Sequence, residues 1–150
     1  MQRYYLNKLS PELGAEISGI DLSKDFSEEI QNKIYDDLIQ YKVLFFREQN
    51  ITPQFHIEFA KSFGSIEEPH PVYPHVDGFP EIVLLENDKN HPPDTDEWHT
   101  DETFKNDPPF ASILYSKIIP EVGGDTLWSS LSKIYDALPN EFKAQIENLR

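Results

Sequence analysis

Apolar and polar positions change their spacing along the chain, and each change predicts a different element. Residues 3–9 and 15–20 are short mixed runs broken by Ser10-Pro11, Gly14 and Gly19, and they read as strands. Ile30, Ile34 and Leu38 then recur every four residues, with Ile39 beside them, so one apolar helical face runs to about Tyr41. Ser27 is placed to cap that helix, and Glu28 and Glu29 suit the positive end of its dipole. Val43-Leu44-Phe45-Phe46 is unbroken by polar residues, as expected of a strand buried on both faces. Thr52-Pro53 pairs an N-cap with a proline at the first helical position. The helix it opens carries Phe55, Phe59, Ala60 and Phe63 on one stripe and stops at Gly64. His56 falls off that stripe and is expected in solvent.

The pattern then loses its regularity. Residues 69–80 mix Pro, His and Tyr too irregularly for a helix, residues 82–85 form a short apolar strand, and residues 86–97 are an acidic loop that includes His91-Pro92-Pro93. Residues 98–104, 110–117 and 125–129 read as extended, and 131–138 and 141–149 as helical, with Pro139 between them. Helices among early strands followed by a strand-rich block predict an α+β chain. Its β part is that of a sandwich or jelly roll, with the N-terminal helices packed on the sheet. The candidate strands are fewer than the roughly eight of a closed double sheet, so that β part is incomplete. The last helical pattern runs from Phe142 to Leu149 with no stop signal. The incomplete β part and the missing stop signal are read as truncation, not as a natural terminus.

Composition narrows the chemistry. Aromatic residues make up 13% of the chain, too many for a disordered polymer. The net charge is −14, a surface that repels nucleic acid and anionic membranes and leaves small molecules as the expected partners. There are no cysteines, so a metal must be held by His and carboxylate. The first residues lack the apolar run of a signal peptide and no segment approaches a membrane span, so the cytoplasm is expected. Homo-oligomerisation is left open. Arginine occurs only at positions 3, 47 and 150, none of them in the motif-rich stretch from Pro69 to Ser130. A site that grips a dicarboxylate bidentately would have to borrow its guanidinium from elsewhere.

The sharpest chemical feature is Trp98-His99-Thr100-Asp101. On an extended segment, residues two apart point to the same side, so His99 and Asp101 can converge on one ion. One imidazole and one carboxylate make two thirds of a facial triad that leaves metal positions open. A lone His-x-Asp occurs by chance, and its bland reading is a histidine bonded to a neighbouring aspartate on a solvated edge. Gly123-Gly124 predicts a tight turn or a close backbone approach to a ligand.

Several motifs in order are far more specific. They are residues 14–22 (GAEISGIDL), 45–49 (FFREQ), Ile51-Thr52-Pro53, Phe63-Gly64, His70-Pro71-Val72-Tyr73-Pro74-His75, Pro92-Pro93-Asp94, residues 98–104 and residues 123–128. Together they resemble the taurine dioxygenase/2,4-dichlorophenoxyacetate dioxygenase (TauD/TfdA) family across nearly the whole chain, nearest its taurine dioxygenase branch. The resemblance implies a double-stranded β-helix core, with Fe(II), 2-oxoglutarate and O₂ as cofactor and cosubstrates. His99 and Asp101 become iron ligands and Thr126 a hydroxyl contact to 2-oxoglutarate. His70 and Tyr73 fall at the substrate pocket, Phe104 forms an apolar wall, and the backbone of Glu102 faces the substrate's anionic head.

The implied reaction is hydroxylation of a small sulfonate, sulfate ester or carboxylate, with release of succinate and CO₂. Taurine-specific members carry Asn where this chain has Thr95, and a small apolar residue where it has Glu102, which argues against taurine itself. The family's third ligand, a histidine, and its 2-oxoglutarate arginine lie in the C-terminal half, so the 150 residues alone are expected to be inactive. Two other readings stand beside this one. The chain is a non-catalytic jelly-roll protein that binds a small anion or a metal, or a Zn-dependent hydrolase using His99, Asp101 and His70 or His75.

Overall fold

The computed structural model describes residues 3–25, 27–90, 92 and 97–149. The elements in chain order are β1 (Tyr5–Lys8), β2 (Ala15–Ser18), α1 (Glu28–Tyr41), β3 (Leu44–Phe46), α2 (Pro53–Lys61), β4 (His75–Val76), β5 (Phe79–Val83), α3 (Leu131–Ala137) and α4 (Asn140–Ile146). They fall into two compact units. The first comprises Met1–Gln49 with Pro120–Arg150, the second Asn50–Ile119.

The first unit is built on a mixed sheet in the order β1-β2-β3, antiparallel between β1 and β2 and parallel between β2 and β3. Ala15 and Ile17 of β2 are buried, together with Ile20, Leu22 and Ile34. Gly19 closes the β1–β2 end because a Cβ there would lie 2.2 Å from the Arg3 carbonyl oxygen, while Arg3 N–H donates to Gly19 O at 3.1 Å. Ser27 caps α1 by accepting from Ile30 N–H, as its position predicts. The far end of α1 is tied to the sheet through Gly14 N–H, which donates to Tyr41 O at 2.8 Å. Asp37, buried on α1, accepts from the Tyr4 hydroxyl at 2.7 Å and pairs with Lys33 at 3.5 Å.

The expectation of a doubly buried third strand is corrected. β3 is half-buried throughout, because it is an edge strand laddered only to β2. Part of its cover is Trp128, whose ring meets that of Phe45 edge-on at 5.4 Å. Helices α3 and α4 form where the pattern predicts them, but neither buries a residue.

In the second unit, Thr52 Oγ1 accepts from Phe55 N–H at 3.2 Å and Pro53 starts α2 as expected. The helix buries Ile57 and Phe59 and packs on β5. His56 is not solvated. It is half-buried, its Nε2–H donates to the Ile113 carbonyl at 3.1 Å, and its ring meets Tyr115 edge-on at 6.3 Å. Burial pushes its pKa below the ordinary imidazole value. Lys117 acts in the same direction, and the bond to Ile113 opposes both. The β4–β5 hairpin is antiparallel, with a bulge at His75/Val76, and β5 begins three residues earlier than the apolar run indicated.

Residues 98–104, 110–117 and 125–129 are irregular and form no strand. A strand exists only as part of a ladder, and no ladder partner for these segments is present among the described residues. The sheets described have three and two strands, so the chain is α+β without a closed double sheet among the described residues. No helix among the described residues is long and apolar enough to cross a membrane.

Candidate functional site

His99 and Asp101 do converge, although not on a strand. His99 Nδ1–H donates to the Glu97 carbonyl at 2.9 Å, which in the neutral ring leaves the lone pair on Nε2. That nitrogen lies 3.5 Å from Asp101 Oδ1. The gap is longer than the roughly 2.7–2.9 Å of a charge-assisted N–H···O⁻ bond. It is a few tenths of an ångström wider than the roughly 3.0 Å between adjacent donors that each sit about 2.1 Å from one octahedral ion. Nε2 and Oδ1 are thus two potential ligand atoms on neighbouring side chains. The side chains keep 55% and 59% of their exposure, so an ion can reach them.

The second carboxylate oxygen is also assigned. Ser112 Oγ donates to Asp101 Oδ2 at 2.9 Å, leaving Oδ1 as the free donor toward His99. A carbonyl thus holds the far imidazole nitrogen and a hydroxyl the far carboxylate oxygen, contacts of the kind that fix the orientation of both side chains. The donor set fits Fe(II), which takes imidazole and carboxylate in this combination. Among the described residues no group of three His, Asp or Glu side chains is gathered to hold a metal. The hydrolase reading, with His70 or His75 as third ligand, therefore finds no assembled triad there.

Directly after Asp101 the chain reverses. Glu102 sits at φ 51°, a left-handed conformation uncommon for a non-glycine residue, and Lys105 N–H closes the turn on the Glu102 carbonyl at 3.0 Å. The hydroxyls of Thr100 and Thr103 bond each other across it at 2.6 Å. The Glu102 carboxylate is not bare. Lys105 Nζ lies 2.9 Å from it and 2.7 Å from Glu67, and both contacts hold the Lys105 pKa above its ordinary value, Glu67 first. Phe104, in the same turn, is 85% exposed.

His70 and Tyr73 are brought together: their ring centroids are 4.6 Å apart. Val72 N–H and Tyr73 N–H both donate to His70 Nδ1 at 3.2 Å, which leaves Nε2 as the ring nitrogen that can donate. His75 lies on β4 with a buried Nε2 that has no hydrogen-bond partner. Thr126 belongs to the first unit, in an exposed irregular segment that follows the Gly123-Gly124 turn. Both glycines adopt positive φ as predicted, and a Cβ on Gly124 would press the Pro120 ring at 3.0 Å. His91, Pro93-Asp94 and Thr95 lie outside the described residues.

Sequence reasoning overlooked Ser112, Lys105 and the inward turn of His56. Each meets its partner 11, 38 or 57 positions away, at Asp101, Glu67 and Ile113 respectively. No periodicity links such pairs. The only available signal is a polar residue inside a run that otherwise reads apolar, which describes Ser112.

Residues 6–150 match the family described as taurine catabolism dioxygenase TauD, TfdA family. The chain is 41% identical to an alkylsulfatase of Acinetobacter baylyi over 99% of its own length and 46% of that protein's. It is 37% identical to an alpha-ketoglutarate-dependent sulfate ester dioxygenase of Pseudomonas putida over 96% of its length and 47% of that protein's. Its structure superposes on a taurine dioxygenase from Burkholderia xenovorans with a TM-score of 0.83 and 36% identity, covering 97% of this chain and 51% of the other. The chain spans about half the length of the relatives it matches.

Proposed function

This chain belongs to the TauD/TfdA dioxygenase family, and from that premise we propose that it carries the iron-binding and substrate-facing portion of an Fe(II)- and 2-oxoglutarate-dependent oxygenase. The observation that supports the reading best is the facing pair of His99 Nε2 and Asp101 Oδ1, each oriented by a hydrogen bond on its far side. Fe(II) with 2-oxoglutarate supplies the oxidising chemistry, and the protein supplies ligand geometry and substrate placement. His99 and Asp101 are the ligands in this proposal, and Thr126 is the hydroxyl that bonds 2-oxoglutarate. His70 offers its Nε2–H to an anionic substrate group, with the Tyr73 ring tilted against it and Phe104 as the apolar neighbour. Glu102 contributes its backbone.

The substrate class we favour is a sulfate ester, ahead of taurine. Two relatives with sulfate-ester activity in their names share 41% and 37% identity, and Thr95 and Glu102 depart from the taurine pattern. Hydroxylating the carbon that bears the ester oxygen gives an unstable sulfated hemiacetal, which collapses to an aldehyde and inorganic sulfate. The jelly-roll fold and the assignment of residues 1–150 to the N-terminal portion of one domain belong to the same proposal. Ile118 and Val122, each 91% exposed, lie beside segments that read as strands but lack ladder partners, as expected if the rest of a double sheet covers them. The third ligand and the arginine for 2-oxoglutarate would come from that remainder.

The test uses the protein in its full natural reading frame. Anaerobic Fe(II) with 2-oxoglutarate is expected to give a visible charge-transfer band. Under air, alkyl sulfates are expected to release sulfate and succinate in equal amounts. Zn-dependent hydrolysis without succinate would sink the oxygenase reading. Sulfite from taurine at a higher kcat/KM than sulfate from alkyl sulfates would overturn the substrate class alone.

A further inference from the structure

Asp101 occupies an irregular segment with no ladder to fix its backbone, yet a metal ligand must point in one direction. Accepting the iron reading, we propose that Ser112 is the positioning residue for Asp101, and that His56 of α2 holds Ser112 in place. Ser112 Oγ reaches Asp101 Oδ2 at 2.9 Å, and Oδ1 is left facing His99 Nε2 at 3.5 Å. The neighbouring residue, Ile113, is tethered by its carbonyl to His56 Nε2–H at 3.1 Å, and Tyr115 packs edge-on against the same imidazole. The connection therefore runs from the buried face of a helix, through one backbone carbonyl and one hydroxyl, to the carboxylate.

The bond does not act through global stability. Asp101 keeps 59% of its side-chain exposure, so water can replace the serine at Oδ2 at little cost. It acts on direction. A carboxylate freed to rotate spends part of its time with neither oxygen aimed at the ion, and every metal-binding event must then freeze that rotation. A hydroxyl on the far oxygen removes the rotation in advance, and the loss of such an outer contact typically weakens metal binding about 10- to 100-fold. With Oδ2 engaged by the serine, Oδ1 is the oxygen that would be offered to the ion.

The experiment measures Fe(II) affinity and the charge-transfer band of the anaerobic 2-oxoglutarate complex in the full-length natural protein. Ser112→Ala is expected to weaken Fe(II) binding about 10-fold and to broaden or shift the band, with the thermal midpoint unchanged. Ser112→Thr keeps the hydroxyl and should restore both readouts to within about 2-fold. His56→Leu removes the tether and should cost a smaller factor, about 3-fold, which His56→Gln recovers by supplying an N–H. Asp101→Ala is the reference. If Asp101→Ala abolishes binding while Ser112→Ala leaves affinity and band unaltered, the positioning role is overturned and the iron reading stands. If Asp101→Ala leaves Fe(II) binding intact, the iron reading fails, and this inference fails with it.

Discussion

The β1-β2-β3 sheet and the segment from Glu97 to Lys105 are both well-defined, but by opposite means. The sheet is held by backbone ladders and by side chains taken out of water, with Ala15 and Ile17 of β2 exposed by 0% and 1% and Ile34 of α1 by 2%. Among the described residues, the Glu97–Lys105 segment has no ladder, and it buries none of its side chains. It is held by a carbonyl on His99, a serine on Asp101, a hydroxyl pair between Thr100 and Thr103, and a lysine between two glutamates. Burial produces rigidity that any mutation in the core disturbs everywhere. Individual polar bonds produce orientation, and losing one disturbs only what it oriented. The proposed iron-binding role would suit the second arrangement, because ligands must be aimed without being sealed from the solvent that delivers the ion.

The comparison can be broken most severely at the sheet. Ile17→Ala should cost about 2–5 kcal/mol, since it removes a fully buried side chain from a tightly packed site. Chemical denaturation checks this, and a loss under about 1 kcal/mol would mean that the sheet is not the stability core described here. At the other region, His99→Ala should leave unfolding within about 0.5 kcal/mol of the parent, as exposed positions usually do. Fe(II) affinity should nonetheless fall by more than the about 10- to 100-fold typical of losing an outer-shell partner, since His99 is a ligand in the proposal. A large fall in stability from His99→Ala would erase the distinction between the two regions.

Acid sharpens the contrast more gently. The folded-state pKa of His56 is lowered, so the unfolded chain binds the extra proton more readily. The contribution is therefore fully present above the unfolded value of about 6.5 and is lost as pH falls through the folded pKa. Amide exchange around α2 and residues 110–117 should quicken in that window while the β1-β2-β3 ladder stays protected, which hydrogen exchange at stepped pH values reads directly. The smallest effect belongs to Lys105→Met. Its ion pairs are solvent-accessible, so stability should change by less than about 1 kcal/mol. Glu102 then loses its counter-charge, and KM for an anionic substrate should rise more than kcat falls. An unchanged KM would remove Lys105 from substrate discrimination.

Much of this was legible locally. Ser27 and Thr52 announced their helices, Ile30, Ile34 and Leu38 their apolar face, and Gly123-Gly124 their turn, because caps and periodicity act over a few residues. Strand predictions fared worse. Residues 98–104, 110–117 and 125–129 have extended propensity, but propensity alone makes no strand without a partner to receive its hydrogen bonds. β3 was misjudged for a related reason: an apolar run signals burial without saying whether the strand lies at the centre or the edge of its sheet.

By itself, the sequence determined which chemistry is on offer: imidazole and carboxylate two residues apart, no thiol, no arginine nearby, and helices set by their own caps. The tertiary structure alone decided how that chemistry is aimed. Ser112 reaches Asp101, Lys105 joins Glu67 to Glu102, and His56 turns inward to the Ile113 carbonyl rather than out to water. The reason is physical. Residue identity and short-range conformation are written in neighbouring positions, whereas orientation depends on which distant groups packing brings within hydrogen-bond reach.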